Sequence, residues 1–213
     1  MSDEYQSWGF AEGDEIVEGR YALKRLGGGS SYEVYIAWDD TLAHPVVAKL
    51  LRPDLVSDEP HLASLAREAE LLAGLSHPVI LRSFGAVLSG ARPHLLLEYL
   101  EGETLRHLIR FGPVPVEQLL PLALSLCSAV HYLHGRDVVH LDIKSRNIVM
   151  GVPPRMIDFS VARPTADAAA LTYPVGTDAY MAPEQCDPER SGPVGPPADV
   201  WGLGAALFRA ANG

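Results

Sequence analysis

The hydrophobic pattern of this chain changes period part-way along, and that change limits the folds open to it. Up to about residue 100 the apolar residues alternate in short runs. Tyr21-Ala22-Leu23-Lys24 begins a strand, Gly27-Gly28-Gly29-Ser30-Ser31 turns, and residues 33–38 return. Asp39-Asp40 turns again into a third strand over residues 46–51. Residues 60–74 break the alternation: Leu62, Leu65, Ala69 and Leu72 line one face of a helix that ends near Gly74. Val79-Ile80-Leu81 and Ala86-Val87-Leu88 suggest a strand-pair region, and residues 94–100 a further strand running into a linker.

After Gly102 the pattern becomes mostly helical. A short helix is expected over residues 104–109 and a long one over 116–134, with Pro121 in its early turns, where a missing amide is tolerated. Short strands near Ile148-Val149 and Arg155-Met156-Ile157 follow. Residues 160–182 read as a loop, and residues 197–211 as a buried helix starting at Pro196-Pro197. There is no internal repeat. The expected class is α+β, with a β-rich first part and a helical second part.

Length and charge narrow the function. The 213 residues suit one larger domain or two small lobes. The formal charge of -10, from 17 basic and 27 acidic residues, offers no basic field for nucleic acid or an anionic membrane surface. A triphosphate stays open, because a few placed cations can neutralise it locally. No segment reads as an apolar run of the ~20 residues that a membrane span needs. Residues 1–18 are polar and acidic and read as a flexible tail, with Trp8 and Phe10 as isolated anchors. Cys127 lies in an apolar helical run and is expected to be a buried thiol. With Cys186 it makes no disulfide framework, so a reducing, cytoplasmic setting is expected. The eight histidines have no metal-ligand spacing.

The chemistry concentrates at residues 140–147, His140-Leu141-Asp142-Ile143-Lys144-Ser145-Arg146-Asn147, with Asp158-Phe159 on the next hydrophobic segment. A carboxylate, an ammonium and an amide fall within six residues. Upstream stand Leu26-Gly27-Gly28-Gly29-Ser30-Ser31-Tyr32-Glu33-Val34, then Val46-Val47-Ala48-Lys49, then Arg67-Glu68-Ala69-Glu70 and Leu97-Glu98-Tyr99-Leu100. Downstream is Gly176-Thr177-Asp178-Ala179-Tyr180-Met181-Ala182-Pro183-Glu184.

Together these runs resemble the protein kinase family, especially bacterial Ser/Thr kinases, from about Arg20 to Gly213. The resemblance implies a bilobal fold: residues 19–100 as N-lobe and start of the hinge, and residues 101–213 as a C-lobe left incomplete after its central helix. It implies transfer of the γ-phosphoryl of Mg-ATP, with Mn2+ as the alternative ion, to a serine or threonine of a protein. Asp142 would be the base, Lys144 would neutralise the transferring group, and Lys49 would contact the phosphates with Glu68, in preference to Glu70, as its ion-pair partner. Leu26, Gly27, Gly28, Gly29, Ser30, Ser31, Val34, Ala48, Leu97, Glu98, Leu100 and Val149 would surround the nucleotide. Asn147 and Asp158 would hold the metal ion. Thr177 would hydrogen-bond Asp142 and Lys144. Asp199 would anchor the loop backbone, and Trp201 would be core.

The chain departs from the family pattern at Tyr32, where a third glycine is usual, at Leu141, where arginine is usual, and at Ser160 after Asp158-Phe159. Loss of that arginine implies less dependence on loop phosphorylation, for which Thr172 would be the first candidate. Two other readings remain at this point: a kinase-like binding or signalling module, and a small-molecule kinase of related fold. Self-association is open.

Overall fold

A computed structural model describes residues 5–213, and every count below refers to them. The chain divides into two compact units. The first runs through Gly74 and takes in Arg82–Leu100; the second comprises Leu75–Leu81 and Glu101–Gly213.

The first unit is a six-stranded antiparallel sheet with one helix. Its strands are β1 (Glu15–Val17), β2 (Arg20–Gly28), β3 (Tyr32–Asp39), β4 (His44–Leu51), β5 (Ser83–Val87) and β6 (His94–Glu98), in the order β1-β2-β3-β4-β6-β5. Helix α1 (Glu59–Ala73) starts where Asp58 accepts a hydrogen bond from the His61 amide. One sheet face carries Ala22, Tyr35, Ala37, Val46, Ala48, Leu50 and Leu96, packed with Ile16. Alternation accounts for this: Val46, Ala48 and Leu50 are two apart in β4, and register sets Ala48 opposite Tyr35 and Leu96.

Order begins earlier than the expected tail allows. Trp8 and Phe10 stack with ring centroids 5.9 Å apart and pack against the sheet cluster. The Trp8 indole donates to the Leu51 carbonyl at 2.8 Å. Arg92 donates to the carbonyls of Glu15 and Ile16 and faces both rings. Residues 1–4 of the expected tail lie outside the described residues.

The second unit is mainly helical. Its elements are α2 (Leu105–Leu108), α3 (Val116–Gly135), β7 (Val138–Val139), β8 (Ile148–Val149), β9 (Arg155–Met156), β10 (Arg163–Pro164), α4 (Thr165–Ala169), α5 (Pro183–Cys186), α6 (Pro188–Ser191) and α7 (Pro196–Asn212). The strands make two short ribbons, β7 with β10 and β8 with β9. Residues 160–182 are therefore more than a loop: they carry β10, α4 and a turn of 3-10 helix at Asp178–Tyr180. Val139, Leu141, Ala168, Leu171, Ala182, Val194 and Ala198 form a buried cluster here.

Three sequence expectations change. Helix α3 is long and apolar enough by length and composition to pass for a membrane span, although no run of that length was expected. It packs within the unit, burying Leu122, Leu126, Ala129, Val130 and Leu133, and so makes no clear span. Cys127 is exposed, because it lies on the opposite face of α3. Trp201 is 54% exposed rather than core, beside Val200 on the outer face of α7; Ala198, Gly202, Leu203 and Ala206 take the inner face.

Two candidate half-sites

In the first unit the β2–β3 hairpin forms the glycine-rich turn. The Gly29 amide donates to the Tyr32 carbonyl at 3.1 Å. A Cβ on Gly28 would stand 2.4 Å from that same carbonyl oxygen, so only glycine fits this close approach. Leu26 is exposed, and Ser30 and Ser31 cap the turn between the strands.

Register places Val34 opposite Lys49, and Lys49 opposite Leu95. Directly opposed residues point to the same face, so Val34, Val47, Lys49, Leu95 and Leu97 share the side away from the Tyr35 cluster. Ala48, expected beside the nucleotide, belongs to the opposite face and is fully buried there. Val47 takes the position that alternation gives to Lys49's neighbour. Leu97 is buried on the Lys49 side, while Glu98 and Leu100 are half-buried, with Glu98 accepting from the Arg82 amide.

Helix α1 supplies the partner of Lys49. Leu65, Glu68 and Leu72 are its buried residues, a spacing that puts the carboxylate on the inward stripe. Lys49 Nζ stands 2.9 and 2.7 Å from the two Glu68 oxygens. Glu70, two residues on, is exposed. The Lys49 ammonium also lies 4.7 Å from the Tyr32 ring centroid, so the residue in the usual glycine position adds a cation–π contact.

A second ion cluster lies behind the same turn. Glu33 is fully buried and receives hydrogen bonds from Arg25, Arg52, Tyr35 and the Trp8 amide. Arg52 also donates to the carbonyls of Gly29 and Gln6. Burial pushes the Glu33 carboxyl up, but hydrogen bonds from Ser7, Trp8 and Tyr35 and the Arg25 charge outweigh it and hold it below its ordinary 4.5. This cluster was not anticipated. The available signal was a charged residue in the inward phase of a strand whose next inward positions are Tyr35 and Ala37.

In the second unit the 140–147 loop hangs on Asp199, in the first turn of α7. Asp199 accepts from the amides of His140 and Leu141, each at 2.8 Å, and contacts His134 Nε2 at 3.0 Å. Leu141 has φ 66, a left-handed conformation costly for a leucine, which these contacts hold in place. Gln185, also missed in the sequence, supports the loop from the other side. Its amide donates to the carbonyls of Leu141 and Val175 at 2.7 and 2.8 Å.

Asp142 is the centre of the loop's polar network. Its Oδ2 accepts from Lys144 Nζ at 2.6 Å and its Oδ1 from Thr177 Oγ1 at 2.7 Å. Lys144 also reaches Thr177 Oγ1 at 2.8 Å, closing a three-membered ring of contacts. Asn147 turns its amide nitrogen to the Asp142 carbonyl at 3.1 Å. The Ile157 amide donates to the Asn147 carbonyl, so Asp158 begins beside Asn147 at the end of the β8–β9 ribbon. Val149, in β8, is buried. Asp158 has φ 66, and Phe159 behind it is buried against the His140 ring.

This donor set suits a hard divalent cation. Asn147 commits its nitrogen to Asp142, which leaves an amide oxygen that, with the Asp158 carboxylate, would hold such an ion alongside phosphate and water. No group of three or more His, Cys, Asp or Glu among the described residues could hold a metal by itself.

The sequence matches the family described as "Protein kinase domain" over residues 21–213. It is 32% identical over 198 residues to the serine/threonine-protein kinase PknB of Mycobacterium leprae, covering 88% of this chain and 31% of that protein. It is 32% identical over 206 residues to PknB of Mycobacterium tuberculosis, covering 91% and 32%. A serine/threonine-protein kinase of Myxococcus xanthus is 30% identical over 209 residues, covering 93% and 25%. The chain thus spans about a third or less of the length of these curated relatives.

Proposed function

Because this chain belongs to the protein kinase domain family, we propose that it transfers the γ-phosphoryl group of ATP to a serine or threonine hydroxyl of a protein. The observation that carries the reading is the ring formed by Asp142, Lys144 and Thr177. A carboxylate with one oxygen on a lysine and the other on a hydroxyl is oriented to accept a proton from an incoming alcohol. Lys144 beside it supplies positive charge where the phosphoryl group arrives. The printed names of the relatives, serine/threonine-protein kinases, support the acceptor class.

The first unit contributes nucleotide binding. Amides of the 27–31 turn would approach phosphate oxygens at the glycines, and Lys49, held by Glu68, would contact the α- and β-phosphates. Val34, Val47 and Leu97, on the Lys49 face, would offer the apolar surface for the base. Asn147 and Asp158 would hold Mg2+, or Mn2+, whose chemistry is to neutralise charge on the phosphates. Asp142 takes the hydroxyl proton as the new O–P bond forms and ADP leaves.

A cytoplasmic setting, with its ATP supply, fits this reading, and the unpaired Cys127 and Cys186 support it. The test is incubation of the purified chain with Mg-ATP and a generic Ser/Thr protein, followed by phosphoamino-acid analysis. Phosphoserine or phosphothreonine formed by wild type and absent with Asp142→Asn is expected. Equal incorporation by both proteins would refute the assignment.

A further inference from the structure

The second unit has a cavity of about 240 Å3 lined by Arg106, Lys144, Ser145, Arg146, Thr177 and Tyr180. Helix α2 packs on the 3-10 turn Ser145–Asn147, which brings Arg106 and Arg146 to one opening. Four of the six lining residues are already committed. Lys144 and Thr177 are bonded to Asp142. Ser145 Oγ is 2.7 Å from the Tyr180 hydroxyl, and Arg209 reaches that hydroxyl from behind at 3.4 Å. Arg106 and Arg146 are different: among the described residues neither makes an ion pair or a side-chain hydrogen bond. Arg106 is half-buried and Arg146 exposed.

Two uncommitted guanidinium groups at one opening stand out in a chain whose formal charge is -10. Arginine presents planar, forked donors suited to a carboxylate or a phosphate. The opening is also adjacent to the proposed base, since Lys144 and Thr177 line the cavity and both touch Asp142. We propose that this cavity selects protein substrates carrying an anionic side chain close to the phosphorylated residue, with Arg106 and Arg146 as the groups that read it. The inference rests on the kinase reading above and adds to it the substrate class. An extended peptide advances about 3.3 Å per residue, so the anion should lie within about three residues of the acceptor. Asp, Glu and phosphoserine share the recognised chemistry.

The experiment compares serine peptides carrying Asp, phosphoserine, Ala or Lys at each of about three positions on either side of the acceptor. At one or two positions Asp or phosphoserine is expected to raise kcat/KM about tenfold over Ala, the effect of one charge-assisted contact. A carboxylate reader gains most from Asp, and a phosphate reader from phosphoserine. Arg146→Glu and Arg106→Glu should invert the order so that the Lys peptide becomes the better one, a gain that a misfolded protein cannot produce. Equal kcat/KM across the peptides, or an acidic preference that survives both reversals, overturns the proposal. If wild type phosphorylates nothing, the kinase reading fails, and binding alone decides the cavity. An Asp-containing peptide with the acceptor serine replaced by Ala should bind wild type by fluorescence anisotropy and lose binding in Arg146→Glu. Equal binding to both proteins, or none to wild type, overturns the proposal.

Discussion

Arg52 Nη1 meets Glu33 Oε1 at 3.1 Å beneath the glycine-rich turn, where the Arg52 side chain is 7% exposed and that of Glu33 is not exposed at all. Arg25 contacts the same carboxylate from a side chain that is 47% exposed. Removing a partner from a buried pair leaves an uncompensated charge, whereas an exposed pair contributes little. Glu33→Ala is expected to destabilise the protein by about 3–5 kcal/mol, and Arg25→Ala by about 1 kcal/mol or less. Urea unfolding of both variants measures the contrast.

Acidification should weaken the fold in two steps. His94 is buried, with Nδ1 at the Arg92 carbonyl, and burial pushes it below its ordinary 6.5 despite that hydrogen bond. Below 6.5 the unfolded chain takes up a proton that the folded chain refuses, so stability present above that value is lost as pH falls. The second step belongs to Glu33 and Asp39. In both, burial raises the carboxyl, but hydrogen bonds and a nearby arginine hold it below the ordinary 4.5 and 3.8. Their stabilisation is complete above those values and disappears as pH falls through the lower folded ones. Melting temperatures from about pH 7.5 to about pH 3 should show both declines, and His94→Leu should reduce only the first, leaving the share of His77, which burial also pushes below 6.5.

Thr177 should affect turnover more than nucleotide binding, because its hydroxyl joins Asp142 to Lys144. Thr177→Val is expected to lower kcat about tenfold to a hundredfold with KM for ATP little changed. Thr177→Ser should recover most of the rate. Steady-state kinetics on the three proteins checks this.

The junction below the loop should be intolerant of small changes. Gly176 has φ 129, and a Cβ there would lie 2.9 Å from the Leu141 carbonyl oxygen and 3.0 Å from Gln185 Nε2. Gly176→Ala is expected to cost about 2–4 kcal/mol from backbone strain and overpacking together. Gln185→Leu leaves two carbonyls without their donor and should cost about 2 kcal/mol or more. Thermal melts report both.

Tyr32→Gly removes the ring over Lys49 and should alter nucleotide affinity through that lysine. A change of about fivefold in Kd for ATP, measured by calorimetry, is the size expected of one partly exposed cation–π contact.

How far the sequence could be read depended on family resemblance as well as on whether its pattern had a phase. Glu68 was legible as the partner of Lys49 through the family resemblance, with Glu70 set aside because i and i+2 do not share a helix face; Leu65 and Leu72, buried on either side of Glu68, agree with that choice. Asp142, Asn147 and Asp158 were legible through the resemblance of the 140–147 run and Asp158-Phe159 to the protein kinase motifs, since a lone Asp or Asn there reads equally as a turn or cap. Ala48 was misplaced although the phase was legible: it is adjacent to Lys49 in β4, and neighbouring strand residues point to opposite faces, which leaves Val47 on the Lys49 side. Trp201 and Cys127 failed alike: α7 and α3 carry large apolar residues around most of their circumference, and only packing chooses the inner side. For the segment before β1 the sequence showed the anchors Trp8 and Phe10 but not the order around them, because two aromatics in a polar stretch have no period; their partners, Leu51 and Arg92, are distant in the chain.

Leu141, where an arginine is usual in this family, sits in an aliphatic cluster with Leu171, Ala182 and Val194, against which Val161 and Val175 pack. The segment that follows Asp158 is therefore fastened to the loop by apolar surface as well as by the Thr177 hydroxyl on Asp142 and Lys144. The apolar part of that fastening is insensitive to ionic strength. It loosens on cooling, as the drive to exclude water from hydrocarbon fades. Chilling the protein should therefore free this segment from its hydrocarbon contacts before it breaks the Thr177 hydrogen bonds.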